Sequence, residues 1–256
     1  MIDTHCHLTD PRILTQIDQV LSRAAAAGVT QAITIGTSIS DGQLAIELCR
    51  RYPQLRCAVG IHPNYCHEAE LGDIERLREL QSDPAVVAIG EMGLDYHYDF
   101  ADRARQRLFF ERQVALAIEI GKPVIIHCRQ GVVDALALLK GSGARGVVFH
   151  CFTGTPAEAQ AILAAGHFIS YTGVITFKKN DALRECVRLT PQARLMVETD
   201  APYLSPEPFR SQKVNEPALV MHTAAVVAKT WDVKLEQVDD ITTTNAQNFF
   251  GLAGPA

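Results

Sequence analysis

Ile2-Asp3-Thr4-His5-Cys6-His7, Val86-Val87-Ala88-Ile89-Gly90-Glu91, Val124-Ile125-Ile126-His127, Val147-Val148-Phe149-His150 and Leu195-Met196-Val197-Glu198-Thr199-Asp200 share one pattern. Each is a short apolar run with the character of a buried strand, and each ends in a residue type that binds metals. In a parallel barrel all strands run the same way, so residues at their C-terminal ends gather on one rim. Four His and two carboxylates meeting there are enough ligands for two divalent ions. The pattern therefore predicts a metal-dependent hydrolase.

Outward from these segments the chain alternates strand and helix. Strand-like runs lie near 2–6, 31–36, 56–61, 86–90, 123–127, 146–150, 167–171 and 195–199. Between them, Ile13 to Ala27 carries Leu14, Ile17, Leu21 and Ala24 on one helical stripe before Gly28. Arg103 to Ile120 carries Phe110, Val114, Leu116 and Ala117 and is closed by Gly121 and Pro123. The segment from Thr242 to Phe250 reads as a helix packed on the barrel. Eight strands with intervening helices require parallel pairing and give an α/β fold, the TIM (β/α)8 barrel. A doubly wound open sheet is the competing architecture, and it does not readily bring the ends of strands 1, 4, 5, 6 and 8 together. No linker, low-complexity stretch or internal repeat divides residues 1–256, and one barrel domain is expected.

Composition agrees. The length of 256 residues suits a single barrel, and 47% hydrophobic with 21% charged residues suits a globular enzyme. A net charge of −5 lacks the basic footprint of a protein that coats duplex nucleic acid, but leaves room for an enzyme that grips a few phosphates locally. The N-terminal run has no basic region followed by an apolar stretch, and no segment is apolar enough to span a bilayer, so a cytoplasmic monomer without membrane association is expected. The seven cysteines are scattered and odd in number, which argues for reduced thiols. Cys6, Cys128 and Cys151 each adjoin a candidate ligand His and, by strand alternation, should face the surrounding helices.

Within the rim, His5 and His7 stand two apart on a strand, point the same way and can chelate one ion. The alternative is a pair of hydrogen-bonded core histidines. Glu91 is placed to give one oxygen to each of two ions. Alternation puts Glu198 and Asp200 on one face, where Glu198 can orient a ligand His.

The motifs DTHCHL (3–8), GIHP (60–63), EMGLDY (91–96), HCR (127–129), HCFTG (150–154), ETDAPYL (198–204), NEP (215–217) and TTTNAQNFF (242–250) run the length of the chain. Together they resemble the TatD family of metal-dependent deoxyribonucleases, within the amidohydrolase-like barrels, along the whole chain. The resemblance implies two divalent ions (Mg, Mn or Zn) held by His5, His7, Glu91, His127, His150 and Asp200. It also implies phosphodiester hydrolysis as a 3'-5' exonuclease, with DNA ends or single strands as substrate. The family commonly reads RGKRNEP-like before NEP, where this chain has Arg210-Ser211-Gln212-Lys213-Val214-Asn215, which alters the expected phosphate grip.

Roles follow from position. Asp200 is the expected general base, with Glu91 as the second catalytic carboxylate. His62 is expected to contact a phosphate, with a structural His as its alternative. Arg129, two residues beyond His127, is the expected bidentate phosphate ligand, and Arg210, Lys213 and Asn215 are expected substrate contacts in the loop after strand 8. Lys178 and Lys179 read as a solvated pair. Tyr96, Tyr203, Phe152 and Phe209 follow strand ends and are candidates to stack on bases, packing being the stronger reading for Phe152. Two other classes stay open. A hydrolase of amides or esters, such as an aminoacyl ester on tRNA, would use the same site, though many amide-cleaving relatives use a modified Lys where Glu91 stands. A catalytically silent binding protein would hold no metal.

Overall fold

The computed structural model describes residues 1–252. Eight strands, β1 (Ile2–Cys6), β2 (Gln31–Gly36), β3 (Leu55–Val59), β4 (Val86–Asp95), β5 (Val124–Arg129), β6 (Val147–Phe149), β7 (Phe168–Tyr171) and β8 (Leu195–Val197), form one sheet in sequence order. Every neighbouring pair is parallel. Around them run the helices α1 (Pro11–Leu14), α2 (Ile17–Ala26), α3 (Ile39–Arg51), α4 (Asp73–Leu80), α5 (Arg103–Ile120), α6 (Val132–Leu139), α7 (Pro156–Ala164), α8 (Asp181–Leu189), α9 (Val220–Trp231) and α10 (Leu235–Phe250). The TIM (β/α)8 barrel is the observed architecture. Among the described residues no helix is long and apolar enough to cross a membrane.

The sheet closes on itself just beyond β8 rather than along it. Cys6 bridges Ala201, the Asp200 N–H donates to the His5 carbonyl at 2.9 Å, and the His7 N–H donates to the Ala201 carbonyl at 2.6 Å. Polar side chains complete this seam. The Asp3 carboxylate accepts the Thr199 N–H at 2.9 Å and its hydroxyl at 2.6 Å, and the Thr4 hydroxyl donates to the Val197 carbonyl at 3.1 Å.

Two apolar layers hold the barrel. Ile2, Ile33, Ile35, Ala58, Ala88, Ile125, Val148 and Met196 fill its interior, and Ala246 and Phe250 of α10 pack against them. The larger layer lies between strands and helices and includes Val59, Ile89, Met92, Phe109, Phe110, Ile126, Phe149 and Val197. Cys6 and Cys128 pack into this second layer, as alternation predicts, and all seven cysteines are free. The Cys151 thiol lies 3.6 Å from the Thr172 hydroxyl instead.

Alternation alone sets the facing of β5, β6 and the β8 segment. Ile125, Val148 and Met196 point inward, so His127, His150, Glu198 and Asp200, an even number of residues further on, point inward too. In β1 and β4 alternation is interrupted. From Asp3 to Cys6 the chain uses three steps while β2 uses two, Ala32 to Thr34. From Ile89 to Met92 it again uses three while β5 uses two, Val124 to Ile126. Each extra residue is a β-bulge, a device that re-aims side chains near functional sites. It lets Ala88 and Glu91, three apart, both face the axis, with Ile89 and Met92 in the outer layer. Gly90 makes the second bulge possible: its φ is +146°, and a Cβ there would lie 2.6 Å from the Ile125 carbonyl oxygen.

Boundaries differ from expectation in several places, β5 running on to Arg129, β6 covering Val147–Phe149 and β8 ending at Val197. The helix expected from Ile13 to Ala27 is two helices, because Asp10 caps α1 through the Arg12 N–H (2.9 Å) and the chain re-enters helix at Ile17. β4, expected to stop at residue 90, continues past its bulge to Asp95. β3, expected over 56–61, covers Leu55–Val59. The helix Arg103–Ile120 is as expected, capped by the Asp102 carboxylate and ended by left-handed Gly121.

Candidate metal centre

Glu91 lies at the middle of the rim and is 2% exposed. Its two oxygens divide the histidines into two sets. Oε1 is 2.6 Å from His150 Nε2, 2.8 Å from His127 Nδ1 and 3.4 Å from His62 Nε2. Oε2 is 3.4 Å from His5 Nε2 and 3.8 Å from His7 Nε2. Asp200 joins the second set, with Oδ1 at 3.3 Å from His7 Nε2 and 3.8 Å from His5 Nε2. His5 and His150 stack with ring centres 3.8 Å apart and planes 7° from parallel. The six residues expected to bind metal are thus brought together. Ligand atoms of His5, His7 and Asp200 lie within 4.8 Å of one another, as do those of His62, Glu91 and His127.

The donor set fits divalent cations. His5 is fully buried, and neither of its ring nitrogens has a hydrogen-bond partner. A structural core histidine is held by hydrogen bonds, so the alternative reading of the His5–His7 pair does not describe His5.

Electrostatics bind the cluster together. Burial raises the energy of every charge here. In Glu91 that effect is outweighed by His150, His62 and His127, and the carboxyl is held well below its ordinary range. In His150 burial is outweighed by Glu91 and Glu198, and in His127 by Asp95 and Glu91, so both imidazoles are held above their usual value. His5, where burial and the neighbouring His150 prevail, is pushed down. Asp200 is held low, its burial being overcome by His7 and His5.

A ring of further residues fixes the six. Glu198 accepts the Cys151 N–H at 2.6 Å and the Ser170 hydroxyl at 2.6 Å, and its Oε1 lies 3.4 Å from His150 Nδ1, the orienting position that alternation predicts. Asp95 was not foreseen, since β4 was expected to end before it. Its Oδ2 lies 3.0 Å from His127 Nε2, and its Oδ1 accepts the N–H groups of His97 (2.9 Å) and Tyr98 (3.2 Å). Burial opposes its ionisation, but His127 and these donors hold its carboxyl down to about 2. Gln106 and Gln113, buried on α5, clamp strand ends by pairs of hydrogen bonds. Gln106 accepts the Asp95 N–H at 2.8 Å and donates to the Asp95 carbonyl at 2.9 Å. Gln113 accepts the Ile61 N–H at 2.7 Å and donates to the Ile61 carbonyl at 3.1 Å. Two Gln seven residues apart on an apolar helical face were the available signal. At the seam, burial pushes the Asp3 carboxyl up to about 8 despite its bonds to Thr199.

The expected substrate contacts separate. His62 lies inside the cluster: Nδ1 accepts the Asn64 N–H at 3.0 Å, which aims Nε2 at Glu91. Arg129 is exposed at the end of β5, its guanidinium carbon 5.1 Å from the Tyr98 ring centre. Arg210 is exposed with its guanidinium 3.7 Å from the Phe177 ring centre. Asn215 corrects the expectation. It is fully buried and its amide donates to the Thr199 (2.9 Å) and Tyr203 (2.7 Å) carbonyls, so it braces the loop that carries Asp200 and has no face for substrate. Lys178, Lys179 and Lys213 are exposed. Of the aromatic candidates, Phe152 is buried, Tyr96 donates its hydroxyl to Asp134 (2.8 Å) under Arg103, and Phe209 rests on His222. Tyr203 stays 47% exposed beside His7 and Arg12.

Residues 2–251 match the family model described as TatD related DNase. The "3'-5' ssDNA/RNA exonuclease TatD" of Edwardsiella piscicida is 37% identical over 260 residues, covering 99% of this chain and 100% of that protein. The Bacillus subtilis (strain 168) protein named "uncharacterized metal-dependent hydrolase YabD" is 36% identical over 254 residues, covering 98% and 99%. Among solved structures, YJJV, a TatD homologue from Escherichia coli k12, superposes with a TM-score of 0.94 at 29% identity, over 99% of this chain and 98% of that one. With its rim of histidines and carboxylates on an eight-stranded barrel, the chain belongs to the family of TatD-related DNases.

Proposed function

We propose that this protein is a two-metal phosphodiesterase, a 3'-5' exonuclease of single-stranded DNA or RNA, working from one barrel domain as a cytoplasmic monomer. One observation carries the two-ion reading: Glu91 turns one oxygen to His127, His150 and His62 and the other to His5 and His7. His5, His7 and Asp200 would hold one ion and His127 and His150 the other, with Glu91 shared between them. A donor set this rich in imidazole suits Zn or Mn better than Mg. Bound there, divalent ions supply Lewis acidity and make water acidic enough to yield hydroxide near neutral pH.

The chain's own residues do the rest. Asp200, ionised and facing the cleft, takes the proton of the attacking water as general base. Asn215 holds the loop behind it, so the carboxylate meets the water in a fixed position. His62 Nε2 is in reach of a phosphoryl oxygen that approaches Glu91. Arg129 has no carboxylate partner among the described residues, and its guanidinium is free to pair with a phosphate along the strand.

The deciding experiment strips the protein of metal and restores Mg, Mn or Zn singly. Substrates are end-labelled single-stranded DNA, RNA and an aminoacyl ester. Stepwise shortening of the nucleic acids with two ions bound per chain is the expected result. Hydrolysis of the ester with intact oligonucleotides would overturn the nuclease reading, and loss of a single ion on Glu91→Gln with the other unaffected would overturn the shared carboxylate.

A further inference from the structure

Between β4 and α5 the chain places aromatic surface where solvent meets the rim. Tyr98 is 43% exposed and Phe100 57%, with ring centres 5.5 Å apart. Both lie just past Asp95, and neither ring is turned into the core. Tyr96, two residues earlier, is half-buried and donates its hydroxyl to Asp134, so its ring is held within the fold. Exposed large aromatics side by side forfeit the burial that most such rings obtain. Arg129 lies over Tyr98 with its charge unpaired among the described residues.

The surface is wired to the site. The Tyr98 N–H donates to Asp95 Oδ1, and the other oxygen of that carboxylate meets His127 Nε2, whose Nδ1 meets Glu91. At His97 and Tyr98 the loop is thus hydrogen-bonded to the carboxylate that meets a candidate ligand. The aromatic pair therefore follows within five residues of a carboxylate that contacts the candidate metal cluster.

We propose that Tyr98 and Phe100, with Arg129, form a stacking platform for one nucleobase of a single-stranded nucleic acid, next to the scissile phosphate. This rests on the nuclease reading of the metal centre. The chemistry is matched twice over. Aromatic faces take bases of any sequence, and the neighbouring guanidinium takes the phosphate that each base brings with it. A base paired within a duplex has its faces covered by its neighbours, so the platform selects single strands.

The test uses short fluorescent strands of thymidylate and the same strands made abasic at one position in turn. Binding is read by anisotropy in EDTA, and hydrolysis is read with metal restored. Tyr98→Ala combined with Phe100→Ala should weaken binding of the complete strand by about 5- to 150-fold. It should leave unchanged the strand abasic at the one position that the platform reads. Tyr98→Trp, which keeps a stacking face, should bind like the wild type. Equal losses on complete and abasic strands, or no loss on either, would overturn the platform. A wild-type protein that binds with base dependence yet hydrolyses nothing supports the platform and overturns the nuclease reading. Hydrolysis by a protein whose binding ignores the missing base does the reverse.

Discussion

In its lower interior the barrel is sealed by Ile2, Ile33, Ala58, Ala88, Ile125, Val148 and Met196 against Ala246 and Phe250 of α10, whereas two or four residues further along the chain His127, His150, Glu198 and Asp200 crowd together. Both regions are buried, but burial acts on them in opposite directions. Below, it removes apolar surface from water, worth roughly 25 cal/mol per Å². Above, it strips water from carboxylates and imidazoles, which must then answer one another's charge. The barrel's stability and its chemistry are thus concentrated at different heights on the same strands, and substitutions at the two heights should separate cleanly.

The largest effect is expected above. Asp200→Asn keeps the size of the side chain and an oxygen toward the metal, but the amide cannot take a proton. General-base catalysis supplies about 10²–10⁴-fold, and kcat should fall by about that much with the melting temperature unchanged. Measuring kcat and metal content on the same sample checks this, and near wild-type rates at saturating metal would make Asp200 a ligand only. Below, Phe250→Ala removes a ring that is 5% exposed and leaves a cavity under the barrel. The cost should be about 3–5 kcal/mol, with each kcal/mol lowering the melting temperature by about 2–4 °C in a chain of this size. Well below melting its kcat and KM should match the wild type. A fall in kcat at full foldedness would show that the two heights are coupled.

Metal sharpens the same contrast. A ligand present at 100 times its Kd stabilises the fold by about 2.7 kcal/mol. Stripping metal should therefore lower the melting temperature of wild type and Phe250→Ala by the same free energy, since distant changes add to within about 0.5 kcal/mol. Calorimetry with and without EDTA reads this directly, and unequal increments would refute the separation. The smallest effect is expected outside both regions. Arg129→Ala should raise KM by about tenfold with kcat nearly intact, the behaviour of a contact made equally in ground and transition states. A drop in kcat at constant KM would place Arg129 in the chemical step.

The sequence made the barrel and the inward facing of the candidate ligands on β5, β6 and β8 legible because those segments follow strict alternation. An apolar inward residue forecasts an inward ligand two or four places later. In the other two strands residue type marks His5, His7 and Glu91 as candidates but does not show the path that turns them inward. In β1 and β4 an extra residue breaks the period, and the strands are read correctly only when the partner strand's register is known. The same bulge hid Asp95: a strand that appeared complete at residue 90 continues through Gly90 and Glu91 to a second carboxylate. Asn215 misled for a different reason. In a loop beside the site, an amide that recognises substrate and one that holds the loop's own carbonyls have the same sequence, and only burial tells them apart. Position alone favours Tyr96, which stands nearer the strand end but turns to Asp134, over the exposed pair Tyr98 and Phe100.

The seam has a consequence for when the protein becomes active. Asp3 and Thr199, whose bonds shut the barrel beside His5 and Asp200, are 196 residues apart in sequence. Contacts of that separation form late, after shorter loops have closed. On the ribosome His5 and His7 emerge well before Asp200, the carboxylate beside them in the fold, which follows 193 residues after His7. A nascent chain, a stalled chain or a fragment cut between them holds half a site. The candidate ligand set is thus complete only once the chain has passed Asp200 and the barrel can shut.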